Sequence, residues 1–230
     1  MRVAKFWYAA TAMLVFSAAV IPFDTLITAN RRADFLAGDI RRIIQLSEIF
    51  GHGFGIAIAI YFVWRMAPAK RKWVPRLLAC VLLPGLIVHL LKLCLARRRP
   101  GFYYPEFVDN VSDTWLGWMP SGHLNHEYLT QSFPSAHTAT AFGLAAGLAW
   151  MFPRCKYTFF VFASIAAFQR IVYGAHWASD VFFGAAIGLV AAAVIFRSGQ
   201  INSFFLALEN KADPVGQGND ADISDIRRAA

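Results

Sequence analysis

The chain has 230 residues, of which 57% are hydrophobic and 16% charged, with a mean hydropathy of +0.46 and a net charge of +8. A soluble domain carries about a quarter charged residues, so this composition excludes an ordinary water-soluble enzyme and points to a membrane protein. The positive charge lies in short clusters flanking apolar runs. No basic stripe interleaved with aromatics appears on a polar face, which excludes nucleic acid as a partner.

Six apolar blocks approach the ~20 residues that cross a hydrocarbon core as helix. They run over 6–27, 49–66, 74–96, 135–152, 157–173 and 177–196. Together they predict an all-α, polytopic fold: a six-transmembrane-helix bundle forming one membrane domain over 1–196. The first block follows Arg2 and Lys5 and contains Ser17-Ala18-Ala19, as a cleaved leader would. It reads instead as a retained helix, because the apolar run continues through Val20 and Ile21 past Pro22. Between the first two blocks, Leu36, Ile40, Ile43 and Ile44 recur at helical spacing and suit an interfacial helix. Glu48 and His52 stand four apart there and read as a structural pair.

The dense Lys70-Arg71-Lys72 run after the second block is the strongest topological signal. It places both termini in the cytoplasm and the far ends of the third and fifth blocks outside. The loop 101–133 carries Phe102, Tyr103, Tyr104, Phe107, Trp115, Trp118 and Tyr128, aromatics that suit a headgroup zone and a wall around a site mouth. Residues 197–230 turn polar after a short apolar start at Phe204 to Leu208. They predict a short interfacial turn or helix and then a flexible cytoplasmic tail. Cys80, Cys94 and Cys155 show no metal-ligand spacing and read as packing residues.

Three polar clusters fall at helix ends. In the first, Lys92 and Arg99 are seven residues apart, which places them on one face of a continued helix, and Pro100 ends that helix. A lysine two turns inside a membrane helix is costly unless it serves a cavity. Arg97 and Arg98 project from other faces, toward lipid headgroups, and His89 packs between helices. In the second cluster, Pro134-Ser135-Ala136-His137 opens the fourth block, where free helix amides and the Ser135 hydroxyl form an anion site. The third holds Gln169, Arg170, His176 and Asp180. The four-residue step from His176 to Asp180 lets the carboxylate orient the imidazole, as in a catalytic triad.

In order, Lys-x6-Arg-Pro, Pro-Ser-x-His and Arg-x5-His-x3-Asp resemble the three-part motif of the type 2 phosphatidic acid phosphatase (PAP2) superfamily, in its integral membrane lipid phosphatase branch. The resemblance implies a phosphatase in which Lys92, Arg99, Arg170, Ser135 and the amides of Ala136 and His137 bind the phosphoryl oxygens. His176 would be the nucleophile, Asp180 its orienter, and His137 the acid that protonates the leaving oxygen and then the base that activates water. Three cations and amide dipoles can stabilise a phosphoryl transition state, a task that Mg²⁺ performs elsewhere. Cofactor and metal are accordingly expected to be absent. The commonest second motif has Gly where Ala136 stands, and the third usually has Ser where Gln169 stands, which makes Gln169 a further candidate contact. Pro120-Ser121-Gly122-His123 matches the four-letter pattern more literally, but Leu-Asn-His-Glu-Tyr-Leu-Thr-Gln follows it and cannot open a membrane span.

The expected function is metal-independent hydrolysis of a lipid phosphate or pyrophosphate monoester through a phosphohistidine, at the outer face of a bacterial inner membrane. Candidate substrates are undecaprenyl pyrophosphate, phosphatidic acid, phosphatidylglycerol phosphate and the phosphates of lipid A. The alternatives are a phosphotransferase using the same histidine, and a non-catalytic lipid-binding or transport protein on this scaffold.

Overall fold

The computed structural model describes residues 4–30, 37–100, 110–118, 128–197 and 199–212. Helix α1 (Ala4–Val20) passes through a 3₁₀ turn, Ile21–Phe23, into α2 (Asp24–Asn30). Pro22 suits that first turn, where its missing N–H costs nothing. Helix α3 (Gly38–Leu46) and the turn Ser47–Gly51 lead into α4 (Gly53–Met66), and Pro68–Trp73 leads into α5 (Val74–Cys94). Two short strands, β1 (Leu95–Arg97) and β2 (Trp115–Trp118), pair antiparallel. Helices α6 (Ala136–Met151), α7 (Lys156–Val172), α8 (Ala178–Arg197) and α9 (Gly199–Ala212) complete the described residues.

Four continuous helical stretches are long and apolar enough to cross a membrane: Ala4–Ala29, Pro68–Cys94, Pro153–Val172 and Ala178–Arg197. Gly38–Gly51 and Gly53–Met66 would make a fifth if taken together, but they meet at a 70° bend. The expected span over 135–152 is α6, whose 16 residues rise ~24 Å, short of the ~30 Å hydrocarbon core. That helix is buried along most of its length, packed against α5, α7 and α8. Its buried face and that of α8 are built from small residues, among them Ala141, Ala145, Ala185 and Ala192, which let helix backbones approach closely. Glycines on α8 mark where the two backbones come close: a Cβ at Gly188 would lie 2.4 Å from the Ala139 carbonyl oxygen, and one at Gly184 2.5 Å from that of Ser135. Leu82, Leu86, Leu90, Phe62 and Val161 point outward, as lipid-facing residues do.

Several expectations change. The third block leaves the helix at Cys94 rather than Ala96, because Leu95 turns extended to pair with β2. Lys92 and Arg99 therefore share no helix face. His89 is exposed on α5 rather than packed between helices. Beyond Arg197 the chain forms α9, longer than the short segment expected. Arg76, near the start of α5, donates to Glu209 at 2.7 Å and to Asn202 at 2.8 Å, under the rings of Trp150, Phe196 and Phe205. The tail from 213 onward and the rival segment 120–123 lie outside the described residues, as do Phe102, Tyr103, Tyr104 and Phe107.

Candidate active site

The site forms at the end of the bundle where α5 and α7 finish and α6 and α8 begin. Helix α7 ends at Val172, and Gly174 just beyond its cap takes a φ of 65°, the left-handed conformation that glycine adopts after helix ends. The amides of Ala175 and His176 then fold back onto the Arg170 carbonyl at 3.0 and 3.1 Å. This short return sets His176 beside Arg170 before α8 starts. His176 thus precedes the helix that carries Asp180, and its ring lies beside that carboxylate without being on the same helix face. The ring's Nδ1 lies 3.8 Å from Asp180 Oδ2 but 2.6 Å from the Ser132 carbonyl oxygen. A carbonyl can only accept, so Nδ1 carries the hydrogen and Nε2 keeps its lone pair. Nε2 faces Arg99 Nη1 at 3.4 Å. Burial pushes the His176 imidazole down to about 3, reinforced by the nearby charges of Lys92 and Arg99 and opposed by Asp180. The ring is neutral at neutral pH, the state a nucleophilic imidazole needs.

Asp180 is instead the hub of a buried network that sequence reasoning missed. It accepts from Ser132 Oγ at 2.6 Å, from the Trp177 amide at 3.1 Å and from Arg97 Nη1 at 2.5 Å. Arg97, expected among lipid headgroups, is fully buried. Its Nη2 donates to Asp24 at 2.7 Å, its Nη1 also to Ser179 at 2.7 Å and its Nε to Thr114 at 3.2 Å, while its Cζ lies 4.4 Å from the Trp115 ring centroid and 5.2 Å from that of Trp177. The cause is local. Between Ala96 and Arg97 the register slips, leaving Leu116 unmatched, and such a bulge re-aims the next side chain. Asp24 in turn accepts from the amide and the hydroxyl of Ser179, and so caps the first turn of α8 from another helix.

Lys92 and Arg99 are joined by an acceptor rather than a helix face: Lys92 Nζ and Arg99 Nη2 both donate to the Gln131 carbonyl, at 2.8 and 3.2 Å. Arg99 also donates to the carbonyls of Tyr128 and Ala175, with its guanidinium 3.9 Å from the Tyr128 ring centroid. The charges of Arg99 and Arg170 both act on Lys92. Arg170 has a buried Nε with no partner, the one such side-chain polar atom among the described residues. Its Nη1 donates to Glu48, whose other oxygen accepts from Gln169 Nε2 at 3.2 Å. Glu48 is therefore not paired with His52, which instead caps α4 by accepting from the Phe54 amide.

Ser135 is fully buried and is the N-cap of α6: its Oγ accepts from the Thr138 amide at 3.5 Å and lies 3.0 Å from the Thr138 hydroxyl. Its own amide donates to the Asp180 carbonyl at 3.1 Å, which ties the start of α6 to α8. The amides of Ala136 and His137 sit in the first turn of α6, where a helix offers no internal acceptor. His137 is partly exposed, with Nε2 3.6 Å from Glu48 Oε1. No group of three His, Cys, Asp or Glu side chains able to hold a metal occurs among the described residues.

A lipid A 1-phosphatase of Rhizobium etli is 33% identical over 127 residues, 54% of this chain and 50% of the relative. One of Rhizobium johnstonii is 33% identical over 123 residues, 52% of this chain and 46% of the relative. The chain thus spans about half the length of these curated relatives. A probable lipid phosphate phosphatase beta of Arabidopsis thaliana is 23% identical over 177 residues, 71% of this chain and 81% of the relative. The crystal structure of Aquifex aeolicus LpxE shares the fold, with a TM-score of 0.53 at 24% identity over 75% of this chain and 91% of that one. The family model described as the PAP2 superfamily matches residues 73–203, more than half of the chain and all three polar clusters. This chain belongs to the PAP2 superfamily.

Proposed function

We propose that the protein is a membrane phosphatase that hydrolyses a phosphate monoester of a lipid, with lipid A 1-phosphate the first candidate substrate. The observation that carries this reading is the state of His176: its Nδ1 is committed to the Ser132 carbonyl, so a neutral Nε2 lone pair is left facing the Arg99 guanidinium at 3.4 Å, with the charge of Lys92 also acting on the ring. A neutral imidazole nitrogen beside these cations suits attack on a dianionic phosphoryl group. The His176 Nε2–P bond forms as the P–O bond to the lipid breaks, and His137 gives its proton to the departing oxygen. Water, deprotonated by His137, then attacks phosphorus and releases inorganic phosphate and free His176. The cations and the α6 amides hold the equatorial oxygens throughout, so the charge stabilisation comes from protein dipoles and side chains. Arg170 Nε is a donor that a bound phosphate would satisfy. Asp180 acts through Ser132 and the Arg97 network.

Two features support a lipid rather than a soluble ester. The relatives are lipid phosphatases by name. In addition, an apolar groove of about 540 Å³, lined by Ile49, Phe50, Ala59, Val63, Leu148 and Phe162, begins at the residues flanking Glu48 and offers room for an acyl chain. The basic Lys70–Lys72 run favours an outward-facing site with cytoplasmic termini.

The decisive assay is phosphate release by the purified chain in detergent, from lipid A carrying a 1-phosphate and from phosphatidic acid, phosphatidylglycerol phosphate and undecaprenyl pyrophosphate. Release should persist in excess EDTA, be inhibited by vanadate, and vanish in His176→Ala. Turnover by His176→Ala near the wild-type rate, or loss in EDTA restored by Mg²⁺, would overturn the mechanism.

A further inference from the structure

One carboxylate in the site belongs to none of the three motifs. Glu48 stands on the turn Ser47–Gly51, at the bend between α3 and α4. Oε1 accepts from Arg170 Nη1 and lies 3.6 Å from His137 Nε2, and Oε2 accepts from Gln169 Nε2 at 3.2 Å. The family pattern has Ser where Gln169 stands, and a serine hydroxyl is two atoms shorter than the Gln amide nitrogen. The longer side chain reaches Glu48, so the departure at Gln169 and the presence of Glu48 form one feature.

The charged and titratable groups that act on His137 come from four elements: Arg170 on α7, Lys92 on α5, His52 at the start of α4, and Glu48. Three of the four are bases. Burial first, and then these bases, discourage the imidazole from holding the proton that a general acid must carry when substrate arrives, and Glu48 alone of the four groups opposes them. Glu48 is the acid of the set, at ion-pair distance from the ring. We propose that Glu48 is a positioning residue for His137, held in place by Gln169 and Arg170, which supplies the counter-charge and the orientation that let the imidazole donate its proton to the leaving oxygen. This rests on the reading of His137 as the acid.

The test compares two leaving groups in the full-length chain in detergent. A short-chain phosphatidic acid departs as an alkoxide and needs the proton, whereas p-nitrophenyl phosphate departs as a stable phenolate. Wild type, Glu48→Gln, Glu48→Asp and His137→Ala are compared after equal elution and melting behaviour is confirmed. Glu48→Gln should lower kcat on phosphatidic acid by about tenfold, a part of the ~10²–10⁴ that general acid catalysis supplies. Its loss on p-nitrophenyl phosphate should be several-fold smaller. The alkaline limb of the phosphatidic acid profile should move to lower pH, because an anion that favours the protonated ring is gone. Glu48→Asp should recover part of the rate. His137→Ala should show the same dependence on leaving group, more strongly. If His137→Ala slows both substrates equally, the acid assignment beneath the proposal fails. If His137→Ala discriminates while Glu48→Gln slows both equally, slows neither, or accelerates turnover by freeing Arg170, the Glu48 proposal fails and the acid assignment stands.

Discussion

Two arginine–carboxylate clusters flank His176, and they are built to opposite specifications. Around Arg97 the guanidinium and both carboxylates are wholly buried, and each of the three arginine nitrogens has an acceptor. Around Arg170 the carboxylate is 36% exposed and one buried guanidinium N–H has no acceptor. Buried donors in folded proteins are nearly always paired, and the Arg170 Nε is the donor that the proposed phosphate would satisfy. The saturated cluster can accept nothing further and serves to fix the frame. The unsaturated one is where a ligand would complete the structure. Similar residues thus do different work according to how completely their hydrogen bonds are filled.

The largest effect should come from breaking the saturated cluster. Arg97→Met would leave Asp24 and Asp180 buried without their partner, at a cost of about 3–5 kcal/mol, read by thermal unfolding in detergent. Arg97→Lys should recover little, because one ammonium cannot span Thr114, Ser179, Asp180 and Asp24. Unchanged melting of Arg97→Met would show that the cluster is ornamental to the fold. Arg170→Ala should do the reverse. Glu48 would return to water and stability should change by about 1 kcal/mol or less, while turnover falls about 10²–10³-fold, the usual loss for one transition-state donor. A melting loss equal to that of Arg97→Met would erase the contrast between the clusters.

Legibility in the sequence follows the same division. Apolar blocks and helix-end motifs are local signals, so α1, α4, α5, α7 and α8 could be placed within a few residues, and Lys92, Arg99, Arg170 and His176 could be singled out. The network behind them is not local. Asp24 is 73 residues from Arg97, and Glu48 is 122 from Arg170. Arg97 stands in a run of three arginines that gives no hint which one turns inward. That choice is made by a bulge between two strands too short to show alternation. Likewise, the spacing of His176 and Asp180 brings the two to 3.8 Å, but helix α8 begins only at Ala178, and the nearer acceptor for the ring, the carbonyl of Ser132 at 2.6 Å, is 44 residues away in the chain.

A pH measurement sharpens the comparison from the histidine's side. Burial holds His176 at about 3 when folded, against about 6.5 when unfolded. Between those values the unfolded chain binds the extra proton, so stability falls as pH drops below about 6.5, by up to about 1.4 kcal/mol per unit, and the fall ends near pH 3. In His176→Gln this contribution is absent, and the decline of melting temperature from pH 6.5 to pH 4.5 should be shallower than in wild type. Parallel declines would mean that the ring charges freely in the folded protein, and that its orientation by Ser132 does not keep it neutral.

The smallest effect distinguishes two roles for Ser135, which the family motif assigns to phosphate and the structure surrounds with its own helix. Its hydroxyl is fully buried, accepts from the Thr138 amide and touches the Thr138 hydroxyl, the arrangement of an N-cap. A cap lost to alanine costs about 1 kcal/mol, but a cap lost to glycine costs only a few tenths, because glycine lets water reach the freed amides. A phosphate ligand behaves otherwise: alanine and glycine both remove the donor and should raise KM alike. If Ser135 serves the helix, Ser135→Ala should melt measurably below Ser135→Gly while the two share nearly wild-type KM. The start of α6 bonds to the Asp180 carbonyl through the Ser135 amide, which both variants keep, so the saturated network should survive in each. Equal increases in KM with unchanged melting would transfer Ser135 from the frame to the open side of the site, with its hydroxyl turned from Thr138 to the phosphoryl group.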